Sequence, residues 1–472
     1  MKIAIHGFGS FPIFFYELIK YAKQVYPEIE WAIIFPTSNY LKQFKNLLGD
    51  ENVYYLHDEF KKTYDLLLDK EVLVTYSGNI YRDIESDKKT IKGKSSIEQE
   101  KNAISTYLVY KKFLQQSRPD YLIFPHVESH EGMILNSLAK EMGVVSIFPC
   151  NARNIGESYF SHEVTEPLPH YAVAEQRQLE RAKLFLEQFE KQHQPPSIYP
   201  ESLQNCSGKK ASVFKTPLYK RMARYFQQLY VERSYQSIDG VRYRILNNLP
   251  LIRNLIWASR TQYNKSIYDY KTIEEFPTKF IYYPLQYTPE SSINTPAPYY
   301  VDQLRVIDAI RMSMPSEYTL IVKEHPSCIL IRGNSLINKI RKRAGVRVAY
   351  YKTNSREIIS KAALTISVTG TAAFEAFLLG REAILFGDTF FSEFLDGKTS
   401  LNFTELKNTI EDKLNQKIPF EKRVESIAKI YSCTNPFILY APGDDSVYSN
   451  VTLSKKNVKV FMESLIDHIG KI

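Results

Sequence analysis

Ser367-Val-Thr-Gly-Thr-Ala-Ala-Phe-Glu-Ala376, preceded by the apolar run Ala362-Ala-Leu-Thr-Ile366, reads as a strand, a hydroxyl-rich turn and the opening of a helix. Such a corner is where α/β proteins hold phosphate. Ser367, Thr369 and Thr371 bring hydroxyls, Gly370 lets backbone approach a ligand closely, and the helix start turns free N–H groups and its positive dipole end to the same spot. A nucleotide mono- or diphosphate suits it.

Around this stretch runs a βα series. Strands are predicted at Lys279–Pro284, Tyr318–Lys323, Val346–Tyr350, Leu364–Val368 and Ala383–Phe386, with helices at Val301–Met314, Ser335–Ala344, Ser355–Lys361 and Ala372–Leu379. The first half alternates in the same way. Its strand candidates are Lys2–Ile5, Trp31–Phe35, Val53–Leu56, Val72–Tyr76, Tyr121–Phe124 and Val144–Phe148, interleaved with helical patterns such as Phe14–Val25, Ile97–Gln116 and Gly132–Met142. The expected class is α/β, with two Rossmann-like domains built on parallel sheets. Residues 1–167 form the first domain, 168–276 a mainly helical basic insertion, 277–452 the second domain, and 453–472 a helix that packs back across the domains. Two such domains in tandem are expected to leave a cleft lined by strand C-terminal ends.

The 472 residues carry a formal charge of +9, and the excess is concentrated. Between Lys209 and Arg260 stand eleven Lys or Arg against two acids, Glu232 and Asp239. This segment is either a solvated helical face or a patch for anionic lipid headgroups or a charged acceptor. No nucleic-acid module accompanies it, so nucleic acid is not an expected partner. Cys150, Cys206, Cys328 and Cys433 are scattered, without the spacing of a zinc site or a disulfide framework. No apolar run is long enough to span a bilayer and the N-terminus lacks a signal-peptide pattern, which predicts a cytoplasmic protein, peripheral to the inner face of the membrane if the basic segment binds it.

Three loops of the second domain fall at predicted strand C-termini. Pro284-Leu-Gln-Tyr-Thr-Pro-Glu290 offers Gln286 and Glu290, Lys323-Glu-His-Pro326 offers Lys323 and His325, and the turn offers Ser367 to Thr371. Pro326 forces an extended backbone on His325, fixing the direction in which the imidazole can meet a phosphate oxygen; a histidine bonded to a nearby carbonyl is the plainer alternative. Glu375 is a lone carboxylate in the apolar helix Ala372–Leu379. An unpaired buried charge costs several kcal/mol, against roughly 1 kcal/mol returned by a surface pair, so Glu375 needs a cation, a ligand hydroxyl such as a ribose diol, or an exposed place in the first turn.

In the first domain Pro125-His-Val-Glu-Ser-His-Glu-Gly132 follows a strand and crowds His126, Glu128, His130 and Glu131 together. Such a cluster can remove a proton from an acceptor hydroxyl or attack an anomeric carbon. Glu131 also suits a helix cap. The HxxxH spacing invites a metal, but a loop and helix start lack the continuous helix of an HExxH site, so no metal is expected. Arg153, in Asn151-Ala-Arg-Asn-Ile-Gly156, suits a carboxylate or phosphate, and the turn His6-Gly-Phe-Gly-Ser10 lacks the third glycine of a dinucleotide loop.

The loops at Gln286–Glu290, Lys323–Pro326 and Ser367–Thr371, together with Glu375, resemble the C-terminal motifs of bacterial capsule and surface-polysaccharide glycosyltransferases, the group that includes the Kdo transferases. The resemblance covers about 110 residues well, Phe280 to Phe391, and the N-terminal half more loosely through Pro119–Pro125 and Glu131-Gly132. It departs from the family where relatives read Gln-Pro-Glu and this chain has Gln286-Tyr-Thr-Pro-Glu290.

The resemblance implies a GT-B architecture, with a nucleotide-sugar donor held by Gln286, Glu290, Lys323, His325, Pro326, Ser367, Thr369, Gly370, Thr371 and Glu375. A glycan or lipid-linked glycan acceptor would meet Gly7, Gly9, Ser10, His126, His130 and Arg153, with Glu128, Glu131 and His325 as catalytic groups. It points to a CMP-activated ulosonic acid, Kdo or a nonulosonate, as donor, and to no cofactor or essential metal. A UDP-sugar glycosyltransferase, a polyol-phosphate transferase and a UDP-sugar 2-epimerase share these features. A non-catalytic polysaccharide-binding or export-assembly protein on the same fold is the alternative of another class.

Overall fold

The computed structural model describes residues 1–64, 69–87, 91, 93–191, 267–288, 291–328, 334–396, 399–442 and 447–472. Glu290 and the basic segment 209–260 lie outside the described residues. The chain divides into two compact units, whose described parts are 1–172 with 433–472, and 173–191 with 267–432.

The first unit is a six-stranded sheet, β1 (Lys2–His6), β2 (Glu30–Phe35), β3 (Val53–Tyr55), β4 (Tyr121–Ile123), β5 (Val145–Asn151) and β6 (Ser158–Ser161), in the order β3-β2-β1-β4-β5-β6. Strands β1 to β5 are parallel. Helices cover a parallel sheet on both faces, which is why Ile3, Ala4 and Ile5 form a continuous apolar run and are all fully buried. The order reverses between β1 and β4, the kind of position at which α/β sheets gather their ligand-binding loops.

Two parts of this unit differ from expectation. Val72–Tyr76 is not a strand: Lys70–Leu73 is a short 3-10 turn, started by the Asp69 side chain accepting the Glu71 N–H, and Val74 is 83% exposed. A short apolar run fits a strand and a turn equally well, and here no neighbouring strand receives it. Conversely, Ser158–Ser161 adds an unforeseen antiparallel edge strand, β6, with Phe148 opposite Ser161 and Asn151 opposite Ser158.

The closing helix, Lys455–Lys471, belongs to the first unit's core. Phe461 is fully buried and meets Phe14 and Phe437 edge to face, with ring centroids 5.0 Å apart in each case. The Ser454 side chain caps this helix by accepting the Asn457 N–H, and Asn457 in turn bonds both backbone groups of Ile438.

The second unit holds an all-parallel sheet, β7 (Phe280–Pro284), β8 (Thr319–Lys323), β9 (Val346–Ala349), β10 (Leu364–Ser367) and β11 (Ala383–Leu385), in the order β11-β10-β7-β8-β9. Again the order reverses beside the first strand, between β7 and β10. The α/β class and the two Rossmann-like sheets are therefore as the sequence predicts.

Candidate functional site

In the second unit, β10, β7 and β8 are neighbours, so the three loops leaving their C-terminal ends share one edge of the sheet. Gln286, buried, donates its side-chain N–H to Ser367 Oγ at 2.8 Å, joining the loops of β7 and β10 at the reversal point. Ser367 Oγ also accepts the Gly370 N–H at 3.1 Å. A Cβ on Gly370 would lie 2.5 Å from Gln286 Nε2 and 2.7 Å from Ser367 Oγ, so close approach demands glycine there. Thr369 is buried too, its hydroxyl donating to the Ser292 carbonyl. Two of the turn's three hydroxyls thus brace the turn itself, and Thr371 is the exposed one. The helix Thr371–Leu378 starts at Gly370 with no side-chain cap, the arrangement in which opening N–H groups serve an anion.

At the end of β8, Lys323 is 6% exposed and donates to the Ser355 hydroxyl. Burial lowers the pKa of its amine to about 8, against the opposing pull of the Glu375 carboxylate. Glu375 also attracts Arg356, so the half-buried carboxylate on the apolar helix has two cations for company. Beyond Lys323, the buried Glu324 accepts the His325 N–H at 2.7 Å and fixes the backbone there. His325 and Pro326 are exposed, and the Tyr287 ring meets the imidazole edge-on at 5.5 Å.

Sequence reasoning missed four side chains of this edge: Gln303, Glu324, Ser355 and Arg356. Gln303 accepts the Gln286 N–H at 2.6 Å and donates to the Gln286 carbonyl at 3.2 Å, a two-point clasp on the β7 loop. Ser355 and Arg356 follow β9, and the strand-terminus rule that singled out the other loops also reaches them.

In the first unit the loops after β1 and β4 come together. Gly7 donates to the Ile34 carbonyl at 2.8 Å, and a Cβ on it would lie 2.6 Å from the Phe35 ring. Gly9 has φ +59°, a conformation that favours glycine, and the Ser10 carbonyl accepts the Ile13 N–H. The Phe8 and Phe11 rings of this loop lie 6.4 and 6.1 Å from His126.

His126 Nε2 is 2.7 Å from Glu128 Oε1, and both side chains are partly exposed. His130 and Glu131 turn inward instead. Glu131 accepts the Ser129 hydroxyl at 2.6 Å, and His130 meets Asp87. The loop therefore sorts its four groups into an outer imidazole–carboxylate pair and an inner set. Arg153 pairs with Glu166 at 2.9 Å. His6, unremarked in the sequence, ends β1 fully buried, and burial lowers its pKa to about 3, which keeps it neutral. Among the described residues no group of three His, Cys, Asp or Glu is placed to hold a metal ion. Among the same residues no helix is long and apolar enough to cross a membrane.

Two Rossmann-like sheets, each with polar side chains gathered at its reversal point, define a two-unit α/β protein. Residues 205–404 match the family model described as capsule polysaccharide biosynthesis protein. No curated protein matches the chain. Among solved structures, UDP-GlcNAc 2-epimerase of Methanocaldococcus jannaschii, in complex with UDP-GlcNAc and UDP, aligns at 13% identity over 92% of this chain and 99% of its own, with a TM-score of 0.29. The KpsC beta Kdo 2,4 transferase of Thermosulfurimonas dismutans aligns at 13% identity over 66% and 79%, with a TM-score of 0.30. The beta Kdo 2,7 transferase of the same KpsC aligns at 12% identity over 90% of each chain, with a TM-score of 0.31.

Proposed function

We propose that the chain is a glycosyltransferase of surface-polysaccharide biosynthesis that takes its sugar from a nucleotide-activated donor, a CMP-linked ulosonic acid, and passes it to a glycan acceptor. One observation carries the donor half of this reading. Three loops at one sheet edge place an uncapped helix start, an exposed Thr371 hydroxyl, the Lys323 amine and the exposed His325 imidazole beside the reversal point of a parallel sheet. N–H groups, a hydroxyl and a cation make a phosphate site, and a departing nucleotide phosphate gains negative charge that these groups stabilise. The family match over residues 205–404 supports the polysaccharide setting. In this reading the Gln286, Ser367, Thr369 and Gly370 turn is the rigid floor of the donor site.

The acceptor falls to the first unit. Its outer pair, His126 and Glu128, has the chemistry of a general base: a carboxylate orients the imidazole or shares the proton that an acceptor hydroxyl gives up. The basic segment 209–260 is assigned to an anionic membrane surface near a lipid-linked acceptor.

Purified chain incubated with CMP-, UDP- and CDP-sugars, with release of each nucleotide monitored, tests the reading. CMP release that depends on a glycan acceptor is the expected result. Release from UDP-sugars alone would replace the donor class, and thermal stabilisation by none of the three nucleotides would remove the donor site altogether.

A further inference from the structure

Two residues beyond Glu128 stands an imidazole with no surface at all. His130 opens the helix His130–Glu141, and its Nδ1 lies 2.7 Å from Asp87 Oδ2, both side chains being 0% exposed. On the opposite side of the ring, Nε2 faces Thr106 Oγ1 at 3.5 Å. Thr106 gives its own proton to the Asn102 carbonyl at 2.8 Å, which leaves the threonine oxygen to accept. A carboxylate on one ring nitrogen and an accepting oxygen on the other call for an N–H at both positions, the imidazolium form.

The surroundings agree with that assignment. Burial works against the charge, but the hydrogen bond and charge of Asp87, joined by the charges of Glu131 and Asp83, outweigh it and raise the pKa. Asp83, on the helix Ile80–Ser86, is itself tied to Arg82 and to the Tyr76 hydroxyl. From the helix Ser96–Ser117 the ring meets Thr106, and Tyr110 of the same helix senses the Glu131 charge and stays neutral. Glu131, the next residue, is 2% exposed and accepts the Ser129 hydroxyl at 2.6 Å.

We propose that Asp87 and His130 form a positioning couple: a fixed, buried imidazolium that pins the inner end of the loop 124–131, so that its outer end presents His126 and Glu128. Neither residue touches substrate. The couple acts through the loop, and its kinetic consequence rests on the function proposed above, whereas its protonation state does not.

Nitrogen-detected histidine spectra of the full chain, with the His130 signals identified by their loss in His130→Gln, test the couple directly. Both ring nitrogens protonated at neutral pH is the expected pattern, reverting to a neutral tautomer in Asp87→Asn. A neutral His130 in the unaltered protein overturns the proposal, and this reading stands even if Asp87→Asn fails to fold. In the transfer assay, Asp87→Asn should lower kcat roughly tenfold or more with donor KM unchanged. Asp87→Glu should restore part of the rate. A folded Asp87→Asn chain with unchanged kcat overturns the proposal. A chain that transfers no sugar in any form defeats the functional reading instead, and the spectra still decide the couple.

Discussion

Gln286 Nε2 reaches across 81 residues of sequence to donate to Ser367 Oγ at 2.8 Å, and the same oxygen takes the Gly370 N–H. One hydroxyl thereby locks together two loops that leave neighbouring strands. The lock explains why glycine is required at 370, and Gly370→Ala should drive a methyl into both partners. Overpacking of this kind costs about 1–3 kcal/mol. The expected outcome is a lowered melting temperature together with weaker nucleotide binding by calorimetry; unchanged binding would show that the turn is no part of the donor site.

Lys323 gives the donor site a pH dependence with a definite sign. Its amine is charged in the unfolded chain up to its ordinary value near 10.5, but burial brings the folded value to about 8. Between those values the unfolded chain holds the extra proton, so the stability of the ligand-free chain rises as pH climbs from about 8 towards 10.5. An anionic nucleotide prefers the charged amine, so its affinity should fall through the same window. Titrations across that range, repeated on Lys323→Met, check both trends. The substitution should flatten the affinity profile, and a profile that persists in Lys323→Met assigns the effect elsewhere.

The closing helix offers a control. Phe461 is buried among Phe14, Phe160 and Phe437 of the first unit, and Phe461→Ala removes a large aromatic side chain from that core. A loss of about 3–5 kcal/mol in denaturant unfolding is expected. Nucleotide stoichiometry measured on the folded fraction should be unchanged, since the donor groups lie on a different sheet.

The contrast between Ser367 and Gln303 shows what the sequence conveys. Strand, small turn and helix around Ser367 are local patterns, legible from periodicity and residue type, and the same holds for Gly7 and Gly9 after β1. Gln303 acts by clasping the backbone of Gln286, 17 residues away, and no local pattern marks a side chain whose partner is a peptide group. Asp87 is harder still: it lies 43 residues from His130, and no local pattern links the two. His126, Glu128, His130 and Glu131 were recognisable as a cluster, but alternation of inward and outward directions comes from the loop-to-helix transition at Ser129, which spacing alone does not reveal. Val72–Tyr76 differs from expectation for another reason, since a short apolar run does not specify a partner strand.

The division of labour within that loop yields the sharpest kinetic expectation. Glu128 shares a 2.7 Å contact with His126 and both remain partly exposed, whereas Glu131 is buried against Ser129. If the outer pair takes the proton of an acceptor hydroxyl, Glu128→Gln keeps the shape of the loop and loses the charge that supports the imidazole. General-base assistance contributes roughly 10²–10⁴-fold, so kcat should fall by that order while the nucleotide dissociation constant stays within about twofold. Ser129→Ala, by contrast, removes one hydrogen bond to Glu131 and should chiefly lower stability, by about 1 kcal/mol. Single-turnover transfer measured beside nucleotide binding separates the two. Full turnover in Glu128→Gln would move the base away from the β4 loop, and loss of nucleotide binding in the same variant would make Glu128 a donor-site residue.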